Sequence, residues 1–518
     1  MRKVTTTVAA ALVAFSFAAC NKTNNEAAPV NGQGNTYASL TIAAGNELRA
    51  DEPDNVGRKE EGAVKSISLL SIGATQEFST LGTDFKQIGD IYKTNAFKTT
   101  AGSRAFALVL NKGAITLPAN VNAAAEAVSA DSETAATYAD DTKGFVMTSK
   151  VATFTVKPNI HKEDVEALQA PDDTKNGFKL DAERVVAQGI VTTPLNTAAA
   201  ISTTDNLGDL TGLKYGGAMG AKQTYIFGTN AGKRKMGAAN KYEGFKSFVD
   251  DVVTTATYDD DEGDDKVNRE KFQLAEMTER ALVASTDDYS KPFKKAGFYF
   301  FENSVANSSD QANLGAHRNA YAKVYGVYTP KEVWDVKNVF KAQKGTGKYF
   351  DPATAKPKDQ AGGGKEGVVE QTLVKVEGFS AGTTFFQGET DEVFYASSAA
   401  AKLSKTAPNQ KSYMYEKGKC VYRMPWNQIK DGETTIYADT RRNNIYVVNV
   451  TAFEKVGMNY DPNDPKDPNI PKPKNDDEPT TPPDGGDPSW DQAEIWATFF
   501  CTVQPWNVVS RDTTLSKH

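Results

Sequence analysis

The C-terminal stretch Trp490 to His518 constrains the fold most. Read as a strand, it puts Ile495, Ala497, Phe499, Cys501 and Val503 on one face and Trp496, Thr498, Phe500 and Thr502 on the other. Trp506 and Val508 continue the apolar run. Apolar side chains on both faces call for cover on both sides. Yet the strand hangs from residues 461–489, a Pro- and Asp-rich segment that reads as a semi-extended linker. A strand that needs burial, on a tether that lets it travel, has to dock somewhere, and the rest of the chain must supply the place.

The body reads as all-β with a few short helices. Thr, Tyr and Val recur in short runs punctuated by Gly, Asn and Asp. With 518 residues the chain exceeds one ordinary domain. A net charge of -7 argues against a nucleic-acid partner. Three cysteines and three histidines, widely scattered, speak against a metal or thiol enzyme, so no cofactor is expected. Cys420 and Cys501 read either as small buried apolar residues or as a disulfide. There is no G-x-S-x-G elbow and no H-E-x-x-H, and no nucleophile–base–orienter set can be assembled; the chain does not read as an enzyme.

The N-terminus reads as an export signal. Arg2 and Lys3 precede an apolar stretch from Val4 to Phe17, and Phe17-Ala18-Ala19-Cys20 looks like a lipobox with Cys20 as the lipidated residue. Phe17 departs from the usual leucine; an ordinary cleavage site containing a cysteine is the alternative. Thr36 to Ala43 then alternates, with Ala38, Leu40 and Ile42 on one face of a predicted strand. Gly45 to Asn55 is polar and contains Gly and Pro, which predicts an exposed loop carrying Arg49.

Further strands are expected at Val64–Ile72, on either side of Gly102 within Phe97–Asn111, at Phe145–Ser149, Ala152–Val156 and Phe178–Val191. Ala123–Tyr138 reads as helical. The glycines between Gly212 and Gly220 suggest a domain boundary. Strands follow at Phe298–Ser304, Tyr321–Pro330, Gly382–Phe386 and Arg442–Val450, with a flexible loop at Gly362–Gly364. The acidic run 259–265 fails the EF-hand spacing, because Tyr258 and Arg269 would occupy the first and twelfth positions, and it reads as a solvated loop.

Taken together, these pieces resemble the type V fimbrillins of Bacteroidia, most closely the shaft subunits of the minor (Mfa-type) fimbrium. The resemblance is carried by the signal ending at Cys20, the Arg49-Ala50 loop, the strand pair through Gly102–Asn111, and Gly144–Ser149. Glu183–Ala187, Phe301-Glu302-Asn303, Tyr321–Pro330, Gly418–Arg423 leading to Arg442–Tyr446, and the tryptophan-containing tail complete it. It implies two transthyretin-like β-sandwich domains, an N-terminal pro-strand and a C-terminal donor strand. The expected layout is a signal peptide at 1–19, a lipidated propeptide at 20–49 and sandwiches at 50–216 and 217–460. A linker at 461–489 and the donor strand at 490–518 follow.

It further implies a fimbrial shaft subunit that reaches the outer membrane as a lipidated precursor and supports adhesion and biofilm. An arginine-specific protease would cut between Arg49 and Ala50. The pro-strand, with Tyr37, Ala38, Leu40 and Ile42, would leave, and the donor strand of another copy, with Ile495, Trp496, Phe499, Phe500, Val503, Trp506 and Val508, would fill the slot. The contact is heterologous and so propagates. Partners would be further copies, accessory anchor and tip subunits, and host or bacterial surface receptors. A lone chain should keep the tail unpaired or loosely packed. Two alternatives stay open: a monomeric surface lipoprotein that binds glycan or host protein with its tail folded back, or a tip or anchor subunit of the same fimbrium.

Overall fold

The strand β7 (Gly102–Leu110) shows how the chain builds its core. Phe106, Leu108 and Leu110 join one apolar cluster, and Ala107 and Val109 join another on the opposite face. A strand buried on both sides reads as a nearly continuous apolar run, as this one does. The computed structural model describes residues 36–44, 59–72, 76–82, 84–88, 91–112, 135–218, 220–221, 224–227, 272–273, 280–284, 297–302, 320–431, 434–437, 440–459 and 497–505. The signal at 1–19, Cys20, the Arg49-Ala50 loop, the acidic run 259–265 and the linker 461–489 lie outside the described residues.

The first body is a sheet of ten strands. Besides β7 it holds β1 (Thr36–Ala44), β2 (Ile67–Ile72), β3 (Gln76–Gly82), β4 (Phe85–Ile88), β5 (Ile91–Thr94) and β6 (Phe97–Thr99). After a two-residue pair, β8 (Ala139–Asp140) and β9 (Gly144–Phe145), come β10 (Met147–Ser149), β11 (Ala152–Val156) and β12 (Gly177–Arg184). The sheet order is β3-β2-β7-β10-β12-β1-β5-β4, with β11 on β7 and β6 on β1. A short helix, α1 (Lys162–Glu166), packs against β1. Of the predicted Ala123–Tyr138 helix, the described part, Ala135–Tyr138, is a 3-10 turn.

The chain leaves this sheet through a single residue. β13 (Val186–Thr193) follows β12 after Val185 and lies in a different sheet. There it runs parallel to Asn444–Phe453 and antiparallel to Phe298–Phe301. A second sheet, built from Gly208–Ala218, Tyr321–Pro330 and Lys419–Pro425, faces it. Between them Ala187, Val191, Tyr446 and Val448 meet Leu210, Tyr215, Val324 and Tyr422. A third sheet holds the long hairpin Trp334–Ala342 and Lys365–Lys375.

The sheets therefore change at Val185. Two glycines of the Gly212–Gly220 cluster have visible local roles. Gly208–Ala218 is one strand with a bulge at Gly212, whose φ is 64°. A Cβ at Gly217 would lie 2.1 Å from the Phe298 ring, so the missing side chain makes room for an aromatic one. The glycines at Gly362–Gly364 are likewise ordered: Gly363 takes a φ of 86° and caps a 3-10 turn, Gln360–Gly362.

Cys420 is a buried free thiol, its Sγ 3.6 Å from the Gly326 carbonyl. Burial pushes it up to about 12. In the same core burial also raises Tyr415 and Tyr422, whose hydroxyls donate to Gly457 O at 2.9 Å and to Lys455 O at 2.8 Å. The folded values lie above the unfolded ones of about 8.5 for Cys and 10 for Tyr, so the folded state holds these protons more tightly. This stability is full below about pH 8.5 and is lost progressively as pH rises through the folded values. Melting temperature should fall steadily above about pH 9, and the part of the tyrosinate absorbance that a Tyr415→Phe, Tyr422→Phe variant lacks should appear only together with loss of the far-ultraviolet β signal. Tyrosinate from those two residues growing in before unfolding would contradict the assignment.

Candidate functional site

The site is the position of β1. Its residues Thr36, Ala38, Leu40 and Ile42 are fully buried, and Ser39 and Thr41 nearly so; Tyr37 is half-buried. Ala38, Leu40 and Ile42 enter the first body's inner cluster with Leu108, Phe106 and Phe178. The alternation read from the sequence is therefore real, but the polar face is buried as well. The reason is position. β1 lies inside the sheet, parallel to β12 from Ser39↔Gly177 to Ala44↔Ala182 and antiparallel to β5 at Thr41↔Lys93 and Ile42↔Tyr92. Its first residues pair with β6, from Thr36↔Thr99 to Ala38↔Phe97. A strand with a ladder on each side leaves no edge open.

The start of β1 is fixed by a buried polar clamp. Thr36 Oγ1 donates to Lys157 O at 2.7 Å and accepts from Ile160 N at 3.2 Å. Asn176 Nδ2 donates to Tyr37 O and Lys157 O, both at 3.0 Å, while Asn176 Oδ1 accepts from Lys157 N at 2.7 Å. Tyr37 N donates to Ile160 O at 3.2 Å and Ser39 N to Asn176 O at 3.0 Å. Further along, Leu40 N donates to Thr94 Oγ1 at 2.9 Å. Asn176 is buried with a φ of 56°, a left-handed turn that asparagine tolerates better than most residues. Sequence reasoning missed it, although Asn176-Gly177 is the kind of pair that marks a tight turn.

Lys93 is the second residue missed. It sits on β5 opposite Thr41, and its Nζ reaches the carbonyls of Val165, Glu166 and Leu168 at 2.9, 3.2 and 2.6 Å. Burial, with Lys86 nearby, holds it below the usual lysine value, while Glu166 pulls the other way.

The tail departs from expectation. Ala497–Pro505 is paired, antiparallel to Asn444–Phe453, from Asn444↔Pro505 to Phe453↔Ala497 with a bulge near Ala452. Phe499, Phe500 and Val503 stand opposite Val450, Asn449 and Tyr446. The expectation of an unpaired tail is corrected, and the physical reason is the open edge that Asn444–Phe453 would otherwise present. Among the described residues the tail itself is the edge strand of that sheet, with one neighbour. Ile495, Trp496, Trp506 and Val508 lie outside the described residues. Among the described residues no group of three or more His, Cys, Asp or Glu could hold a metal ion.

The described chain is of the mainly-β, multi-sheet class. Solved structures of similar shape include a putative cell adhesion protein from Parabacteroides distasonis, at 14% identity and a TM-score of 0.44, covering 92% of this chain and 100% of that one. A fimbrilin from Porphyromonas gingivalis is similar at 16% identity and a TM-score of 0.44, covering 92% and 99%. The tip fimbrial protein Mfa3 from the same species is similar at 11% identity and a TM-score of 0.31, covering 91% and 100%. No family model and no curated protein matches the chain.

Proposed function

We propose that this chain is a non-enzymatic subunit of a cell-surface fimbrial shaft, built by replacing β1 of one copy with the tail of the next. The observation that carries the reading is β1 itself. An N-terminal segment fills an interior slot of the sheet, and one cut in the loop that follows would sever it from the body. The tail is the natural replacement. Among the described residues it has one ladder in its own chain, and it would exchange that for two in a slot with an edge on either side. Buried Leu40 and Ile42 are worth about 1.5–3 kcal/mol each, and the emptied slot would offer comparable burial to apolar donor side chains.

In this reading Cys20 carries the lipid of an outer-membrane precursor, Arg49-Ala50 is cut by an arginine-specific protease, and anchor and tip subunits complete the fibre. The tail's ladder to Asn444–Phe453 favours a second reading, a monomeric surface lipoprotein with its tail folded back. Two measurements separate them. Electron microscopy before and after arginine-specific proteolysis should show fibres only after cutting, and the mature N-terminus should be Ala50. A mature chain that begins at lipidated Cys20, or an Arg49→Ala variant that makes normal fibres, would sink the shaft reading.

A further inference from the structure

Emptying the slot raises a difficulty at β4 and β5. In the sheet order they lie beyond β1, and among the described residues β1 is the only strand that links their ladder to β12. Without β1 the hairpin loses its attachment to the sheet, and one wall of the slot goes with it. Two side-chain ties bypass β1. Tyr92 Oη accepts from Val64 N at 3.3 Å. Lys93 starts beside Thr41 and ends on the last carbonyls of α1 and its C-terminal turn, so its stem crosses from the β5 wall to the helix that packs on β1. An ammonium with three donors suits the carbonyls that a helix C-terminus leaves over, although Val165 O accepts from Leu168 N as well, at 3.3 Å.

We propose that Lys93 is a positioning residue for strand replacement: a strap, independent of the backbone of β1, that holds the β5 edge in place so that the slot stays two-sided for an incoming extended segment of a second copy. The inference rests on the shaft reading for its purpose, but its test does not need fibres. The ammonium spends its three donors on the α1 end. Loss of the strap should therefore matter more to the empty chain than to the filled one.

The test uses the full chain cut at Arg49 and a fluorescent peptide of the Thr36–Ala44 sequence, with binding read by anisotropy. Lys93→Met should leave the melting temperature of the uncut chain nearly unchanged yet slow peptide association about tenfold, read by stopped-flow anisotropy, because a smaller share of the emptied chains then holds a two-sided slot. Amide exchange at Ile91–Thr94 in the emptied chain should speed up by a similar factor, about tenfold, as the hairpin opens locally. Lys93→Arg should recover part of both. An equal peptide association rate and equal exchange in Lys93→Met would overturn the proposal. So would an uncut Lys93→Met chain that melts as low as the emptied one, because the residue would then only support the fold. If the peptide binds and shows the Lys93 effect but the cut chain makes no fibres, the strap stands and the shaft reading falls.

Discussion

A chain shortened to begin at Ala50 is expected to lose its monomeric state. Deleting β1 removes the burial of Ala38, Leu40 and Ile42 and strips a ladder partner from β12, β5 and β6 together. Leu40 and Ile42 alone account for about 3–6 kcal/mol. Each backbone bond lost without a substitute adds about 1 kcal/mol. Against a total stability of roughly 5–15 kcal/mol, the first body cannot absorb this and keep its melting temperature. The shortened chain should therefore elongate by taking the tail of a neighbour. With residues 490–518 deleted as well, it should melt on the order of 10 °C lower and aggregate without order. Sedimentation velocity and calorimetry read both outcomes, and added Thr36–Ala44 peptide should restore monomers. A shortened chain that stays monomeric at the melting temperature of the full chain would show that β1 is dispensable and the slot closes on its own.

The second large effect lies at the junction of the two bodies. Arg442 and Glu302 form an ion pair at 2.5 Å with side chains 1% and 2% exposed. Arg442 also donates to Ile226 O at 2.9 Å, to Thr224 Oγ1 at 3.0 Å and to Tyr225 O. Ile226 O accepts in addition from Thr148 Oγ1 on β10, at 2.6 Å, which brings the first body into the network. Nearby, Arg184 donates to Glu61 O and to Asn443 Oδ1, both at 2.9 Å. Arg442→Ala leaves a buried carboxylate without its cation and should cost about 3–5 kcal/mol, read as a lower denaturant midpoint. Joining Arg442→Met with Glu302→Leu should recover a good part of that, because both charges are then gone. A single variant within about 0.5 kcal/mol of the parent would mean that water reaches the pair and the seam is not dry.

Much of this architecture is legible in the sequence, and the limits are specific. The alternation of Ala38, Leu40 and Ile42 announces a strand, because period-two burial leaves a mark on composition. It does not say that the strand is interior. Ser39 and Thr41 look like a solvent face and are buried, since a small polar residue that is hydrogen-bonded reads the same in either place. Phe178 to Val191 reads as one strand and belongs to two sheets, because a single residue, Val185, carries the crossing without glycine or proline. The Gly212–Gly220 cluster looks like punctuation, yet Gly217 makes room for the Phe298 ring and Gly212 takes the positive φ of a bulge. Asn176 and Lys93 are invisible for a related reason: their partners are backbone carbonyls, which every residue has. The tail's pairing depends on an edge supplied by Asn444–Phe453, and edges are a property of assembled sheets.

The crossing at Val185 has a mechanical side. β12 borders the slot, β13 borders Asn444–Phe453, and that strand holds the tail. In the proposed fibre a pull entering at the slot would pass to β12 through its ladder, run along covalent backbone through Val185 into β13, and leave through one more ladder to Asn444–Phe453, the strand from which the chain continues to the tail. The load lies along the strands, so the hydrogen bonds of each ladder share it in shear instead of being unzipped one at a time. The loops and the long hairpin Trp334–Lys375 stand off this line and carry none of it.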